Sequence, residues 1–126
     1  MSSKALLANI CSVLEESFKK KLPHQIEIIE ITKEKSQALN FWYRKKNKPA
    51  NVLSFRYSND YGEILLCTEV IRREAREARN PQEYQFAWMI VHGMIHLAGM
   101  HHEESLRLAK WAEGLEQRIL DRMFAT

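Results

Sequence analysis

The sequence predicts an α+β fold, a small mixed sheet with helices packed on it and one central, buried helix. Two observations carry this expectation. Strand patterns fall in the first half of the chain and helical patterns in the second, with no sustained βαβ alternation. Residues 84–98 are apolar on nearly every side, the pattern of a helix enclosed by protein. A length of 126 residues argues for a single domain over 1–126. With 45% hydrophobic and 28% charged residues, the composition is far from that of a disordered chain.

Leu7, Cys11, Leu14 and Phe18 recur at helical spacing behind the capping residues Ser2 and Ser3. They predict a first helix that ends before Pro23, with Lys19, Lys20 and Lys21 in its last turn. Residues 25–32 are β-branched and half alternating, so they read as a strand with one face on the core. Ala38, Leu39, Trp42 and Tyr43 mark a short amphipathic helix, with Trp42, like Trp88, expected in the core or a cleft wall. It runs into Arg44, Lys45, Lys46, Asn47, Lys48 and Pro49, the densest positive patch of the chain.

Residues 52–57 alternate, with Leu53, Phe55 and Tyr57 suited to the core and Val52, Ser54 and Arg56 on the other face. Ser54 and Arg56 are therefore candidates for lining a substrate groove. A turn at 58–62 leads to a more buried strand at 64–67. Residues 71–78 read as a charged, ion-paired helix in which Arg72 and Arg76 share a face. Asn80, Pro81 and Glu83 open the central helix as N-cap, first-turn proline and capping-box acid. A last helix from about Glu103 buries Leu108, Ala112, Leu115, Ile119 and Met123. The helices are expected on one side of the sheet.

Cys11 and Cys67 are too few and too far apart for a disulfide framework and read as buried thiols in a reducing compartment. The run from Ala5 to Ala8 is broken by Asn9 and followed by Glu15 and Glu16, so it reads as a helix and not an export signal. No stretch approaches the roughly 20 apolar residues that cross a bilayer. The expectation is a cytoplasmic protein with no membrane partner. A net charge of +3 permits a polyanionic partner at a local basic patch without identifying one.

Four of the five histidines fall in the eleven residues 92–102. His92 and His96 are four apart on the central helix, so their imidazoles share a face and can grip one metal ion. Gly99 stands where the helix must stop, and the left-handed turn it permits brings His102, or its neighbour His101, back toward the pair. Three neutral nitrogens and one open position are what a hydrolytic zinc site requires. Two buried imidazoles each carry a desolvation cost of roughly 1–3 kcal/mol unless partnered, and a metal partners both. One Zn2+ per chain is the expected cofactor. The HxxxHxxGxxH spacing is also that of the metzincin proteases, whose base is a glutamate directly after the first histidine. Here that position is Gly93, which removes the base of that mechanism.

Four ordered stretches complete the pattern: residues 40–44 (NFWYR), 51–55 (NVLSF), 62–64 (GEI), and 92–99 (HGMIHLAG) with His102. Together they resemble the YbeY family of bacterial single-domain zinc endoribonucleases, whose pattern reads approximately LNxxYR, TDVLSF, GDI and HGxLHLxGxDH. The resemblance covers residues 39–102 and extends by helix layout to the end of the chain. It implies an α+β fold, a zinc held by His92, His96 and His102, and RNA processing. The RNA implied is 16S ribosomal RNA and its precursor, the process its maturation and ribosome quality control, and the partners the ribosome or its proteins. It also implies that Arg44 is the catalytic arginine that holds the RNA phosphate, a role suited to a planar fork of donors. Lys45, Lys46 and Lys48 would add attraction to the RNA backbone. The chain departs from the pattern at Ala50 and Asn51 (Thr-Asp), Arg56 (proline), Glu63 (aspartate) and His101 (aspartate). His101 is expected beside the ligands or on the surface, because His102 keeps the HxxxHxxxxxH register. Two other readings stand beside this one: a non-catalytic ribosome assembly factor with structural zinc, and a metzincin-like zinc hydrolase.

Overall fold

The computed structural model describes residues 2–100 and 105–125. The elements run α1 (Ser3–Val13), α2 (Glu16–Lys19), β1 (Gln25–Ile31), α3 (Lys33–Arg44), β2 (Val52–Arg56), β3 (Tyr61–Cys67), α4 (Thr68–Ala78), α5 (Gln82–Leu97) and α6 (Leu106–Phe124). The sheet is mixed, in the order β1-β3-β2: β1 lies parallel to β3 with Ile28 opposite Ile64, and β2 lies antiparallel to it with Leu53 opposite Leu65. The apolar strand at 61–67 takes the centre because both of its faces are covered, as its burial from Ile64 to Cys67 records. The expected α+β class and mixed sheet are thus observed. No helix among the described residues is long and apolar enough to cross a membrane.

The helices occupy both faces of the sheet, not one. Val52, Ile64 and Leu66 share a core with Leu6 and Ile10 of α1, Ile119 and Leu120 of α6 and much of α5. Leu53, Leu65, Cys67 and Ile31 form a second core with Val70, against which Leu39 of α3 and Phe55 pack. The assignment of β2 faces is corrected accordingly. Val52 and Ser54 face α5, and the face of Leu53 and Phe55 is the one covered by α3, with the Tyr43 ring 4.8 Å from that of Phe55. Alternation alone shows that two faces differ, and it cannot say which meets the larger core when both are covered.

Other boundaries shift for local reasons. α1 stops at Val13 because Leu14 turns extended (φ −75°, ψ 144°), so the helix buries Leu6 and Ile10 while Leu14 and Phe18 enter the core from beyond it. Ser2 caps it, accepting from the Ala5 amide at 3.1 Å. In α3 the buried positions are Ser36 and Asn40, whereas Phe41, Trp42 and Tyr43 are exposed, Trp42 by 71%, against its expected place in a core or cleft wall. Trp88 does pack at the edge of the main core. The N-cap of α5 is Pro81 without a side-chain cap bond, and Asn80 donates instead to Gln85 Oε1 at 3.0 Å. Ser105 caps α6, whose buried stripe is Ala112, Glu116, Ile119 and Leu120, with Leu108 exposed. Glu103, the expected start of that helix, lies outside the described residues. On α4, Arg73 pairs with Glu77 at 3.6 Å while Arg72 lies over the Phe86 ring. Cys11 and Cys67 are both free thiols.

At the turn that joins β2 to β3, Glu63 accepts from the hydroxyls of Tyr57 (2.7 Å) and Tyr61 (2.9 Å), whose rings stack at 5.7 Å. The bond to Glu63, aided by burial, pushes the Tyr61 phenol up from 10.0 to about 12. The protonated phenol is the donor, so this contribution to stability is complete below about pH 10 and is lost as pH rises through about 12. In an ultraviolet titration of tyrosinate, the last ionisation should move to lower pH in Glu63→Gln; an unchanged curve would contradict the pairing.

Candidate metal centre

The site begins with how closely α5 lies on the sheet. A Cβ on Gly93 would stand 2.9 Å from Ser54 Oγ and 3.0 Å from Ile64 Cγ2, and one on Gly62 would stand 3.2 Å from Leu97 Cδ2 and 2.9 Å from Pro23 Cγ. Real Cβ atoms do not tolerate the shortest of these separations, so the glycines set the helix-to-sheet distance. Ser54 uses the gap, donating its hydroxyl to the Gly93 carbonyl at 3.1 Å. Arg56 donates through Nη1 to the carbonyls of Leu97 (2.8 Å) and Lys21 (2.6 Å), tying down the C-terminal end of α5. Ser54 is half-buried and Arg56 exposed, and both spend hydrogen bonds on carbonyls that hold α5 in place. Position 93, where a metzincin keeps its glutamate, has no room for a side chain.

The end of α5 follows its glycine. Leu97 is the last helical residue, Gly99 takes φ +81°, and the Gly99 and Met100 amides donate to the carbonyls of His96 and Ile95 at 3.0 and 3.2 Å. One position before Gly93 and one before Leu97, the helix presents His92 and His96 on the neighbouring stripe. Their rings lie 4.9 Å apart, tilted by 59°, and both residues are half-buried.

Behind His92 stands Glu116 of α6, 7% exposed, with both carboxylate oxygens 3.3 Å from His92 Nδ1. Trp88 Nε1 donates to the same carboxylate at 3.4 Å. A carboxylate at Nδ1 selects the tautomer with its proton there and directs Nε2 toward a metal, the arrangement common behind metal-bound imidazoles. The donor set thus fits a divalent metal of zinc type: two imidazoles one helical turn apart, one oriented by a buried acid. Among the described residues no three His, Cys, Asp or Glu side chains are placed together to hold a metal ion. His102 and His101, expected as the third ligand and its neighbour, lie outside the described residues.

Glu116 was not legible as a site residue from the pattern of the pair itself. Its signal was an acid standing inside the apolar stripe of the last helix, between Ala112 and Ile119 at helical spacing. His92 borders a cleft of about 590 Å³ between α4, α5 and α6, which Glu74, Glu77, Glu113 and Trp88 also line. Arg44, Lys45, Lys46 and Lys48 do not line it: they form the exposed C-terminal end of α3 and the loop after it.

The family model described as Endoribonuclease YbeY matches residues 2–124. An endoribonuclease YbeY of Methylococcus capsulatus is 42% identical over 104 residues, covering 76% of this chain and 67% of that protein. One of Alkalilimnicola ehrlichii is 36% identical over 107 residues, covering 78% and 64%. The chain therefore spans about two thirds of the length of these relatives. A solution structure of a Thermotoga maritima protein superposes with a TM-score of 0.65 at 28% identity, covering 96% of this chain and 83% of that one.

The seating of α5 yields a stability test. Gly93→Ala should lower the midpoint of urea unfolding by an amount equivalent to about 1–3 kcal/mol, because overpacking against Ser54 and Ile64 outweighs the helix propensity gained. A variant as stable as the wild type would show that the helix can move away freely.

Proposed function

This chain belongs to the endoribonuclease YbeY family, and from that premise we propose that it is a zinc-dependent endoribonuclease hydrolysing RNA phosphodiester bonds. Its role in this reading is 16S ribosomal RNA maturation and ribosome quality control, in the cytoplasm and in contact with the ribosome or its proteins. The observation that carries the proposal is the imidazole pair of His92 and His96 on the buried helix, backed by Glu116. His92, His96 and His102 are the proposed ligands of one Zn2+, and His101 stands beside them.

Bound there, zinc supplies Lewis acidity toward a phosphodiester oxygen and activates water for hydrolysis. The protein's own groups do the rest. Glu116 holds the His92 ring in one orientation and one tautomer. Arg44 offers its guanidinium fork to the phosphate on which charge develops. Lys45, Lys46 and Lys48 attract the RNA backbone without reading its sequence. Ser54 and Arg56 serve the reaction indirectly, by holding α5 in place, and are not assigned RNA contacts. The crowding at Gly93 weighs against a metzincin-like peptidase, which needs a glutamate there.

Three measurements test the proposal. Elemental analysis of untagged protein should find one zinc per chain, with much less in a folded His96→Ala variant. Competition against a chelator should show Glu116→Ala binding zinc roughly 10- to 100-fold more weakly. Well-folded wild type that takes up no added zinc would overturn the metal site. Arg44→Glu should retain zinc and fold yet lose RNA cleavage by about 100-fold or more; undiminished cleavage would remove Arg44 from the mechanism.

A further inference from the structure

The C-terminal end of α3 combines three features that packing does not use. Trp42 is 71% exposed, Phe41 54% and Tyr43 59%, the Tyr43 ring lying 4.8 Å from that of Phe55. Arg44, Lys45, Lys46 and Lys48 follow directly, all exposed, and none is paired with a carboxylate of the described residues. The loop that carries them is held in a fixed shape from beneath. Buried Asn40 donates to the Lys48 carbonyl at 2.8 Å, and buried Ser36 donates to the Ala50 carbonyl at 2.6 Å while accepting from the Ala50 amide at 2.9 Å. Lys45 caps the helix in the left-handed conformation at φ 62°, and its amide donates to the Phe41 carbonyl at 3.0 Å.

A large indole left in water is unusual for a residue that packs so well, and here four exposed cations follow it within six residues, at the end of the helix and in the loop after it. Cations alone would suit any polyanion. A rigid π-face beside them suits one whose flat bases are unstacked and available, since base–aromatic stacking and phosphate attraction together are how single strands are held. A duplex hides those faces, and an acidic protein surface has none to offer. Resting on the endoribonuclease reading, we propose that Trp42 is a base-stacking platform. It would hold an unpaired nucleotide of single-stranded RNA while Lys45, Lys46 and Lys48 follow the adjoining phosphates.

The test compares a fluorophore-labelled single-stranded oligoadenylate with an abasic oligomer of equal length and charge, both added to the zinc-loaded full chain at one salt concentration. Wild type should bind the oligoadenylate about 5- to 100-fold more tightly than the abasic strand. Trp42→Ala should abolish that preference and Trp42→Phe should keep most of it. The exposure of Trp42 makes loss of fold in these variants easy to exclude by circular dichroism. Equal binding of the two oligomers by wild type, or a preference surviving in Trp42→Ala, would overturn the platform. Polyglutamate binding that depends on Trp42 while oligoadenylate binding does not would overturn it in favour of a protein partner. RNA cleavage assayed on the same wild-type preparation keeps the two readings apart. Cleavage without base-dependent binding sinks the platform alone, and base-dependent binding at Trp42 without cleavage sinks the nuclease alone.

Discussion

The contact between Gly93 and the sheet is the constraint from which the site follows. With Ser54 Oγ and Ile64 occupying the space where a Cβ would stand, α5 can approach the sheet this closely only with its glycine turned toward it. Fixing that one residue fixes the rotation of the whole helix, because each position is about 100° round from the last. His92 and His96 are then carried away from the sheet toward α6, where Glu116 meets the first of them. The same contact accounts for the missing glutamate. A helix seated by a glycine at 93 cannot also present an acid from that position, so the spacing shared with metzincins is a shared way of placing two imidazoles, with different chemistry around them.

What the sequence makes legible here is what short-range periodicity encodes. The buried helix, its glycine terminator, the histidine pair and the central strand are all visible from spacing, because each depends on residues within about two turns or one strand. The orientation of β2 was not legible, since Leu53 and Val52 are both apolar and both buried, and only the placement of α3 and α5 on opposite faces decides which meets which core. Glu116 was hidden for a related reason. Its partner lies 24 residues earlier, and an acid in an apolar stripe signals a buried interaction without naming the other half. Trp42 misled in the opposite direction: an aromatic at helical spacing resembles a core residue until the polar Ser36 and Asn40 are seen to hold the buried positions.

The charges of the molecule are sorted in space in a way its small net charge conceals. Glu74, Glu77, Glu113 and Glu116 surround the cleft beside His92, while Arg44, Lys45, Lys46 and Lys48 gather at the end of α3. A carboxylate-lined cleft favours cations and repels phosphate, and a basic rim does the reverse. Within the nuclease reading, an RNA strand is therefore drawn to the α3 end and kept from sinking along α4 and α6. The imidazoles sit in the field of the acids, which favours a divalent cation at the pair.

The two buried polar residues of α3 show why that basic rim is built as it is. A loop between a helix and a strand leaves backbone groups without regular partners, and burial makes each such group costly unless something bonds to it. Ser36 satisfies both the amide and the carbonyl of Ala50, and Asn40 satisfies the carbonyl of Lys48. Asn40 Oδ1 has no hydrogen-bond partner among the described residues. An apolar residue at either position would pack the helix at least as well but would leave the loop to find its own shape. Polar residues here trade some core packing for a fixed path of the backbone from Lys45 to Ala50. Cations on a backbone held in one conformation lose less entropy when they engage a phosphate chain than cations on a mobile loop. The buried amide and hydroxyl thus act on the surface above them, and the order of that surface is determined one layer below it.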